Sequence, residues 1–415
     1  MISSEDDRRG HVLGILEAGI KAVLPRKAMK DLFNNKGEVF PLTATVLGWG
    51  KASIEMFHAF SQLYFGDISG GHIITLPQHG RNSGHPKVEV SYGTHPLPDK
   101  SSLESGEKVL SIARELKEGD TLICLISGGG SAMFEVPNEG IEIEQLRHAY
   151  NVLIESGADI HEVNAVRRAL SESKGGGLAK AAYPAKVLNI VISDVPGNNL
   201  EDIASGATVA DPFRIKPMDV VDKFMLEDKL DNKILESIRD YKPVDKKFFR
   251  NIETHIIADN NKAVEAMKKK AVALGYDPVR YPSSIRGEAR SAVNEFMETE
   301  GELIIGGGET TVAVRGHGKG GRNQEFVLAG LKNMKGGILA SIGTDGIDGN
   351  TDAAGALGDE KILKNAKENG YDIESFLNDN NSYEFLKECG GLIKTGNTGT
   401  NVADICVFMK EGKGK

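Results

Sequence analysis

The sequence predicts an α/β protein of two α/β domains, the first built on a doubly wound, mostly parallel sheet and the smaller second one on a mixed sheet. Three observations predict it. Short β-branched or apolar runs alternate with helix-period stretches through most of the chain, the pattern of a largely parallel sheet covered by helices. A length of 415 residues fits two or three domains of roughly 100 to 200 residues each. Glycine occurs 49 times and proline only 14 times. That glycine content exceeds the usual roughly 7%, without the proline of a low-complexity or collagen-like chain.

Six runs are expected as strands, each too short for a helix: TATVLGW (43–49), TLICLIS (121–127), KVLNIVIS (186–193), THIIAD (254–259), GELIIGG (301–307) and GGILASIG (336–343). Between them helical spacing shows over 285–299, where Ala289, Val293, Phe296 and Met297 share one face and read as core. The stretch DYKPVDKKFFRN (240–251) is charged, lacks apolar periodicity and carries Pro243, so a linker is expected there. It divides the chain into domains 1–245 and 250–415, with the first three strands in one and the last three in the other. The segment GLIKTGNTGTNVADICVFMK (391–410) reads as strand, glycine-rich turn and strand of the second domain.

Composition removes several functions. Apolar residues at 40%, charged residues at 26% and a net charge of -9 describe a globular chain, not a disordered one. No apolar run approaches the roughly 20 residues of a membrane span, and MISSEDDRRG at the start lacks the apolar core of a secretory signal, so a cytoplasmic protein without membrane contact is expected. Cys124, Cys389 and Cys406 are widely spaced and odd in number, which argues for free thiols over a disulfide frame or a zinc site. The acidic balance, without a basic patch interleaved with aromatics, argues against nucleic acid.

Much of the glycine sits where predicted strands end, in GWGKAS (48–53), SGGGSA (127–132) and GGGET (306–310). A strand running through glycines into a helix exposes backbone N–H groups that suit a phosphate or carboxylate, and a Cβ would hold that anion away. The alternative for each loop is a tight strand-to-helix turn. A Walker A motif is absent, because GWGKAS lacks both the GxxxxGK spacing and a hydroxyl directly after Lys51. GHGKGG (316–321) satisfies GxGxxG, yet Arg315, Lys319 and Arg322 interleave its glycines, a composition suited to a mobile phosphate clamp more than to a tight dinucleotide turn. SGGGS does not fit a nucleophile elbow, since Leu125 holds the first glycine position, so Ser127 and Ser131 read as hydroxyl donors to an anion. The ten histidines form no HExxH or clustered metal pattern.

Lys51 and Arg322 stand directly after glycine loops, where a point charge and a bidentate donor suit phosphoryl oxygens. Asp194 and Asp345 follow predicted strands, at the carboxyl ends where open α/β sheets bind ligands, and each suits a magnesium that also takes substrate phosphates. Asp348 and Asp352 read as turn-forming or helix-capping residues.

These residues resemble the glycerate 2-kinases that carry a C-terminal MOFRL domain, a group whose members are often labelled hydroxypyruvate reductases. The resemblance rests on GWGKA (48–52), HPLPD (95–99), LISGGGSA (125–132), NAVRRALSESKGGGLA (164–179), SDVPGNNLEDIASGATVADP (193–212), GGGETTVAVRGHGKGGRNQE (306–325), GTDGIDGNTDAAGA (343–356) and TGNTGTNVAD (396–404). It implies a Rossmann-like first domain and ATP- and magnesium-dependent (or other divalent-cation-dependent) phosphorylation of D-glycerate at its C2 hydroxyl, giving 2-phosphoglycerate. It implies further that Lys51 and Arg322 are the catalytic pair with Asp194 facing the reacting groups, in a cleft between two domains. Ser127, Gly128, Gly129, Gly130, Ser131, Lys174 and Gly175 would hold nucleotide; Gly50, Lys51, Glu309 and Arg322 would hold glycerate; Asp194 and Asp345 would hold the metal. Glycerate and ATP are the expected partners, and a homodimer is compatible with them. Departures occur at Asn198 and Asn199, where the family commonly has acids, and at Ala207, Asn397 and Ala403. The runner-up is a nicotinamide-dependent hydroxypyruvate reductase using GHGKGG as its dinucleotide loop, with Asp345 roughly at the distance of a ribose-binding acid.

Overall fold

The structure is a computed structural model and describes residues 5–36, 40–77 and 82–411. The chain divides into two compact units, one over Ala28–Ile257 and one that joins the N-terminal helix Glu5–Val23 to Ala258 and the chain beyond it.

The Ala28–Ile257 unit is built on strands β1 (Thr43–Trp49), β2 (Asp67–Thr75), β3 (Val88–Tyr92), β4 (Thr121–Ser127), β5 (Lys186–Ile192) and β6 (Ile252–Ala258). All six run parallel in the order β3-β2-β1-β4-β5-β6. Both faces of this sheet are covered, so its central strands are apolar throughout instead of alternating, and Leu47, Trp49, Leu122, Cys124 and Val191 join one buried cluster. The chain leaves β1 toward β2 on one side and returns to β4 on the other, so the boundary between β1 and β4 is the switch point at which open α/β sheets form a crevice. A second cluster, Leu146, Tyr150, Leu153, Val166, Val221, Ile234 and their neighbours, joins the helices between residues 143 and 238.

The second sheet contains β7 (Pro278–Arg280), β8 (Leu303–Gly308), β9 (Ile338–Gly343), β10 (Gly355–Gly358), β11 (Leu392–Ile393) and β12 (Asp404–Met409). Its order is β11-β10-β9-β12-β8-β7, with β12 antiparallel to both β8 and β9 and β7 parallel to β8. Phe296, Phe326, Phe385 and Leu339 fill its core. The N-terminal helix belongs here: Arg8 Nη2 donates to Lys410 O at 2.6 Å, Arg9 Nε pairs with Asp359 at 3.1 Å, and Thr400 Oγ1 donates to Val23 O at 2.7 Å.

Every expected run is a strand, but the division of the chain differs from 1–245 and 250–415. The expected linker lies inside the first unit. Val187 N donates to Asn251 O at 2.9 Å and Asn189 Nδ2 to Thr254 Oγ1 at 2.9 Å, so β6 is the last strand of the first sheet instead of the first of the second. The phenylalanines of that charged stretch anchor it: Phe248 meets Tyr183 edge-on, and the Phe249 ring covers Gly176. All three cysteines are buried free thiols. No helix among the described residues is long and apolar enough to cross a membrane.

Candidate active site

At the switch point the ends of β1 and β4 are in register, Trp49 opposite Ile126, so the loops that follow lie side by side. Gly50 turns the chain with φ +119°, and a Cβ there would fall 2.4 Å from both Ser127 O and Ser127 Oγ, which reserves the position for glycine. Lys51 N donates to Gly128 O at 2.9 Å and Ala52 N to Ser127 Oγ at 3.0 Å. Thus Ser127 is spent in joining the two loops and is fully buried. Beyond it Gly128–Ser131 round into a single helical turn, Gly130–Met133, whose first amides have no intrahelical acceptor. Trp49 packs against Gly130, fully buried, and its indole N–H has no partner among the described residues.

The Lys51 side chain lies along this loop, since a Cβ on Gly129 would sit 3.2 Å from both Lys51 Cγ and His95 Cδ2. Burial, then the charges of Lys51 and Arg167, push His95 down to about 4, so at neutral pH a neutral imidazole stands beside Lys51. Ser131 Oγ is 2.8 Å from Ser205 Oγ, which in turn donates to Asn164 Oδ1 at 3.1 Å. Asp194 follows β5, whose end is paired with Ser127 through Ile192, and so belongs to the same edge of the sheet.

Lys174 and Gly175 are placed differently from expectation. The Lys174 ammonium is buried and directs its protons to Ser131 O at 2.6 Å, Phe134 O at 2.9 Å and Glu135 Oε2 at 3.2 Å. An ammonium has three N–H donors. All are used inside the protein, so Lys174 supports the loop and does not face a phosphate. Gly175 N is likewise engaged, by Ser205 O at 3.1 Å. A cavity of about 740 Å³ lies on the other side of this segment, but Arg168 in its wall is paired with Asp211 and Arg114 with Glu172.

In the second unit Arg322 opens the helix Arg322–Asn333. Its Nε and Nη2 donate to the two oxygens of Asp404 at 2.6 and 3.0 Å, and Nη1 donates to Glu309 Oε1 at 2.6 Å. Burial disfavours the guanidinium, but Asp404 first and Glu309 next outweigh that and hold its pKa above the ordinary range. Asp404 starts β12 opposite Gly308 of β8 and Gly343 of β9, so Glu309, Asp345 and Arg322 collect around it at one end of the sheet. Sequence reading missed Asp404; the available signal was a lone carboxylate opening the apolar run ICVFM.

The basic loop before Arg322 is not a mobile clamp. Asn380 Oδ1 accepts from Arg315 N at 2.7 Å and Gly316 N at 3.0 Å, Asp379 Oδ1 from His317 N at 3.0 Å, and Asn381 Oδ1 from Lys319 N at 3.2 Å. Its glycines allow that contact: a Cβ on Gly318 would lie 2.4 Å from Asn381 Cβ and 2.6 Å from Asp379 O. Nor does the next helix offer its start to a pyrophosphate, because Asp348 already accepts from Asn323 N at 3.1 Å and Gln324 N at 2.9 Å. Asp348 thus caps a helix that precedes it in the chain, a contact between distant segments and not the local turn or N-cap expected from sequence. Burial raises it to about 6 despite those amides.

With this geometry in place, comparisons with known proteins place the chain. A domain of unknown function (DUF4147) matches residues 11–239 and the MOFRL family matches residues 302–404. A glycerate 2-kinase of Pyrococcus horikoshii is 36% identical over 92% of this chain and 89% of that protein. The chain belongs to the glycerate 2-kinase family. The crystal structure of a glycerate kinase from Thermotoga maritima superimposes with a TM-score of 0.84 at 34% identity, covering 96% of this chain and 98% of that one. A putative hydroxypyruvate reductase of Agrobacterium vitis is 35% identical over 88% of this chain and 98% of its own length. Within the glycerate 2-kinase family frame, the capping of Arg322–Asn333 by Asp348 leaves GHGKGG without the exposed helix start that a reductase's dinucleotide loop needs.

A magnesium that arrives with a nucleotide needs only one or two protein carboxylates. Among the described residues no group of three or more His, Cys, Asp or Glu is arranged to hold a metal, and Asp404 is taken up by Arg322. Asp194 follows β5 in one unit and Asp345 follows β9 in the other.

Proposed function

We propose that the protein transfers the γ-phosphoryl group of ATP to the C2 hydroxyl of D-glycerate, giving 2-phosphoglycerate and ADP. The observation that carries this reading is the pairing of Lys51 with the SGGGSA loop at the sheet's switch point, fixed by the Lys51 N to Gly128 O hydrogen bond of 2.9 Å. Phosphoryl transfer asks little covalent chemistry of a protein; it asks for placement and for positive charge where negative charge develops. The amides of Gly128, Gly129, Gly130 and Ser131 supply donors for nucleotide phosphates.

In the reaction the glycerate C2 oxygen forms a bond to the γ-phosphorus, the bond from that phosphorus to ADP breaks, and the hydroxyl proton leaves. We assign Lys51 to the phosphoryl charge in the Ala28–Ile257 unit and Arg322 to the same task in the other. Glycerate is assigned to Gly50 and Glu309, and the reacting groups to Asp194. Neutral His95 adds no charge to compete with Lys51. Arg322 arrives preset: Asp404 holds it side-on through Nε and Nη2, so its plane is fixed before substrate binds. Asp194 and Asp345 would hold magnesium or another divalent cation, which when bound neutralises phosphate charge. ATP as donor, a cytoplasmic setting and a role in carbohydrate metabolism belong to the same proposal, as does a homodimer.

The test is product regiochemistry. Purified protein, ATP and D-glycerate are coupled to enolase without a phosphoglycerate mutase, and ADP is followed in parallel. Enolase turnover equal to ADP formation is expected. ADP formation that enolase cannot follow would place the phosphate on another oxygen, and oxidation of a nicotinamide by hydroxypyruvate without ADP would overturn the kinase reading.

A further inference from the structure

We propose that Lys174, Glu135 and Tyr150 form a buried strut whose task is to hold the SGGGSA loop in its nucleotide-binding shape, making Lys174 a positioning residue. The inference rests on the nucleotide reading of that loop.

Lys174 and Glu135 are buried side chains that face each other at 3.2 Å in the first unit's interior. Burying an ion pair is expensive, and replacing it by apolar residues of similar volume is often harmless or better. A pair kept in such a place calls for a use. Here the use is visible in where the remaining donors go. Lys174 binds the carbonyls of Ser131 and Phe134, the two ends of the Gly130–Met133 turn and its exit. Holding those carbonyls fixes the Ser131–Ala132 and Phe134–Glu135 peptide planes, so the turn that carries the loop's amides is pinned at its end and exit. Glu135 follows the turn directly, and Tyr150 OH donates to the same Glu135 Oε2 at 3.0 Å, so the carboxylate is held from a separate helix. Ser131 is further tied through Ser205 to Asn164. The loop is therefore braced through Ser131 and Phe134, while Gly129 and Ser131 stay half-buried.

The charge state belongs to the argument. Burial lowers the Lys174 pKa and Glu135 opposes that; Arg167, whose guanidinium stands 5.1 Å over the Tyr150 ring, adds a repulsion that lowers it further. Glu135, Arg167 and the Tyr150 hydroxyl are thus the charged and titratable groups facing Lys174. Removing the Glu135 charge leaves the ammonium with no counter-ion, and it will then lose its proton at a lower pH.

The experiment uses the full chain with Glu135→Gln, which keeps shape, and the double variant Lys174→Met with Glu135→Gln, which leaves no unpaired charge. Each is checked for folding by its melting temperature. Three quantities are read: hydrogen exchange of the peptide spanning 127–135, calorimetric affinity for ADP, and the KM values for ATP and glycerate against pH. In the double variant, exchange of that peptide is expected to rise and ADP affinity to fall on the order of tenfold to a hundredfold, while the glycerate KM holds. In Glu135→Gln the rise of the ATP KM with pH should begin at a lower pH than in wild type, a shift that simple loss of packing would not produce. A folded double variant with unchanged loop exchange overturns the strut. Faster loop exchange with unchanged ADP affinity keeps the strut but overturns the nucleotide reading of the loop. If the double variant does not fold, a Glu135→Gln profile of ATP KM against pH that matches wild type overturns the proposal on its own.

Discussion

Two glycine-rich loops of this protein, SGGGSA in the first unit and GHGKGG in the second, are placed in opposite surroundings. In the first, glycines bring a turn of open amides against the Lys51 side chain. In the second, they let the loop press on its own chain at Asp379–Ser382, and the helix start that follows is closed by Asp348. What distinguishes them is what stands on the far side of each glycine. Bare backbone beside a flexible side-chain end can admit a ligand; bare backbone against another backbone is packing.

The largest test of this contrast removes the cation from the first loop. Lys51→Ala should lower kcat/KM by roughly a thousandfold, about 4 kcal/mol of transition-state stabilisation, with the fold intact by circular dichroism. Steady-state kinetics near the wild-type value would show that the open loop is not where the chemistry lies.

The next test concerns the closed loop. Asp348 has a folded pKa raised from 3.8 to about 6, so the folded state binds its proton more tightly than the unfolded chain does. Its contribution to stability is therefore present below about pH 4 and is lost as pH rises through about 6, a change of up to about 3 kcal/mol. Urea unfolding at both ends of that window should show this slope in wild type and not in Asp348→Asn. Equal slopes would mean the carboxylate capping Arg322–Asn333 is not buried as described.

Smaller again is a comparison of matched glycines. Gly318→Ala drives a Cβ into Asn381 and Asp379 and should destabilise by about 2 kcal/mol, read as a lower melting temperature, with the ATP KM unchanged. Gly129→Ala, at φ +79° and against Lys51 and His95, should instead raise the ATP KM. If both variants behave alike, the distinction between the loops is wrong. The smallest effect is expected at Glu309, whose side chain is 45% exposed. Glu309→Gln should move the glycerate KM only a few-fold, because Asp404 still holds Arg322 by two bonds.

How far these features could be read from the string depended on the kind of order involved. The central strands were plain, since strands buried on both faces are continuous apolar runs. β2 was missed because DISGGHIIT reads as a loop. It is a strand because Gly71 allows the backbone to approach Val46 O closely and because buried His72 finds Ser91 Oγ at 2.6 Å, neither of which is local information. Lys51 and Arg322 stood out by position after glycines. Lys174 did too, and was assigned to nucleotide, because a lysine beside glycines looks the same whether its ammonium faces a phosphate or a buried glutamate. The counter-signal was Glu135, a charge set in the apolar run MFEV. The membership of β6 and of the first helix was illegible, since both follow from pairings between distant parts of the chain.

That last pairing bears on the order in which the molecule is made. Glu5–Val23 leaves the ribosome before both sheets, yet Thr400, which binds its Val23 carbonyl, emerges 377 residues later. The Ala28–Ile257 unit has all its strands before the second sheet begins, and domains generally fold as units during synthesis. The opening helix must therefore wait, apolar face unsatisfied, while an entire sheet assembles behind it. A nascent chain paused before residue 260 would expose Val12, Ile15 and Leu16, which are buried in the finished protein, because the helix Asn260–Ala273 that packs on the opening helix would not yet exist.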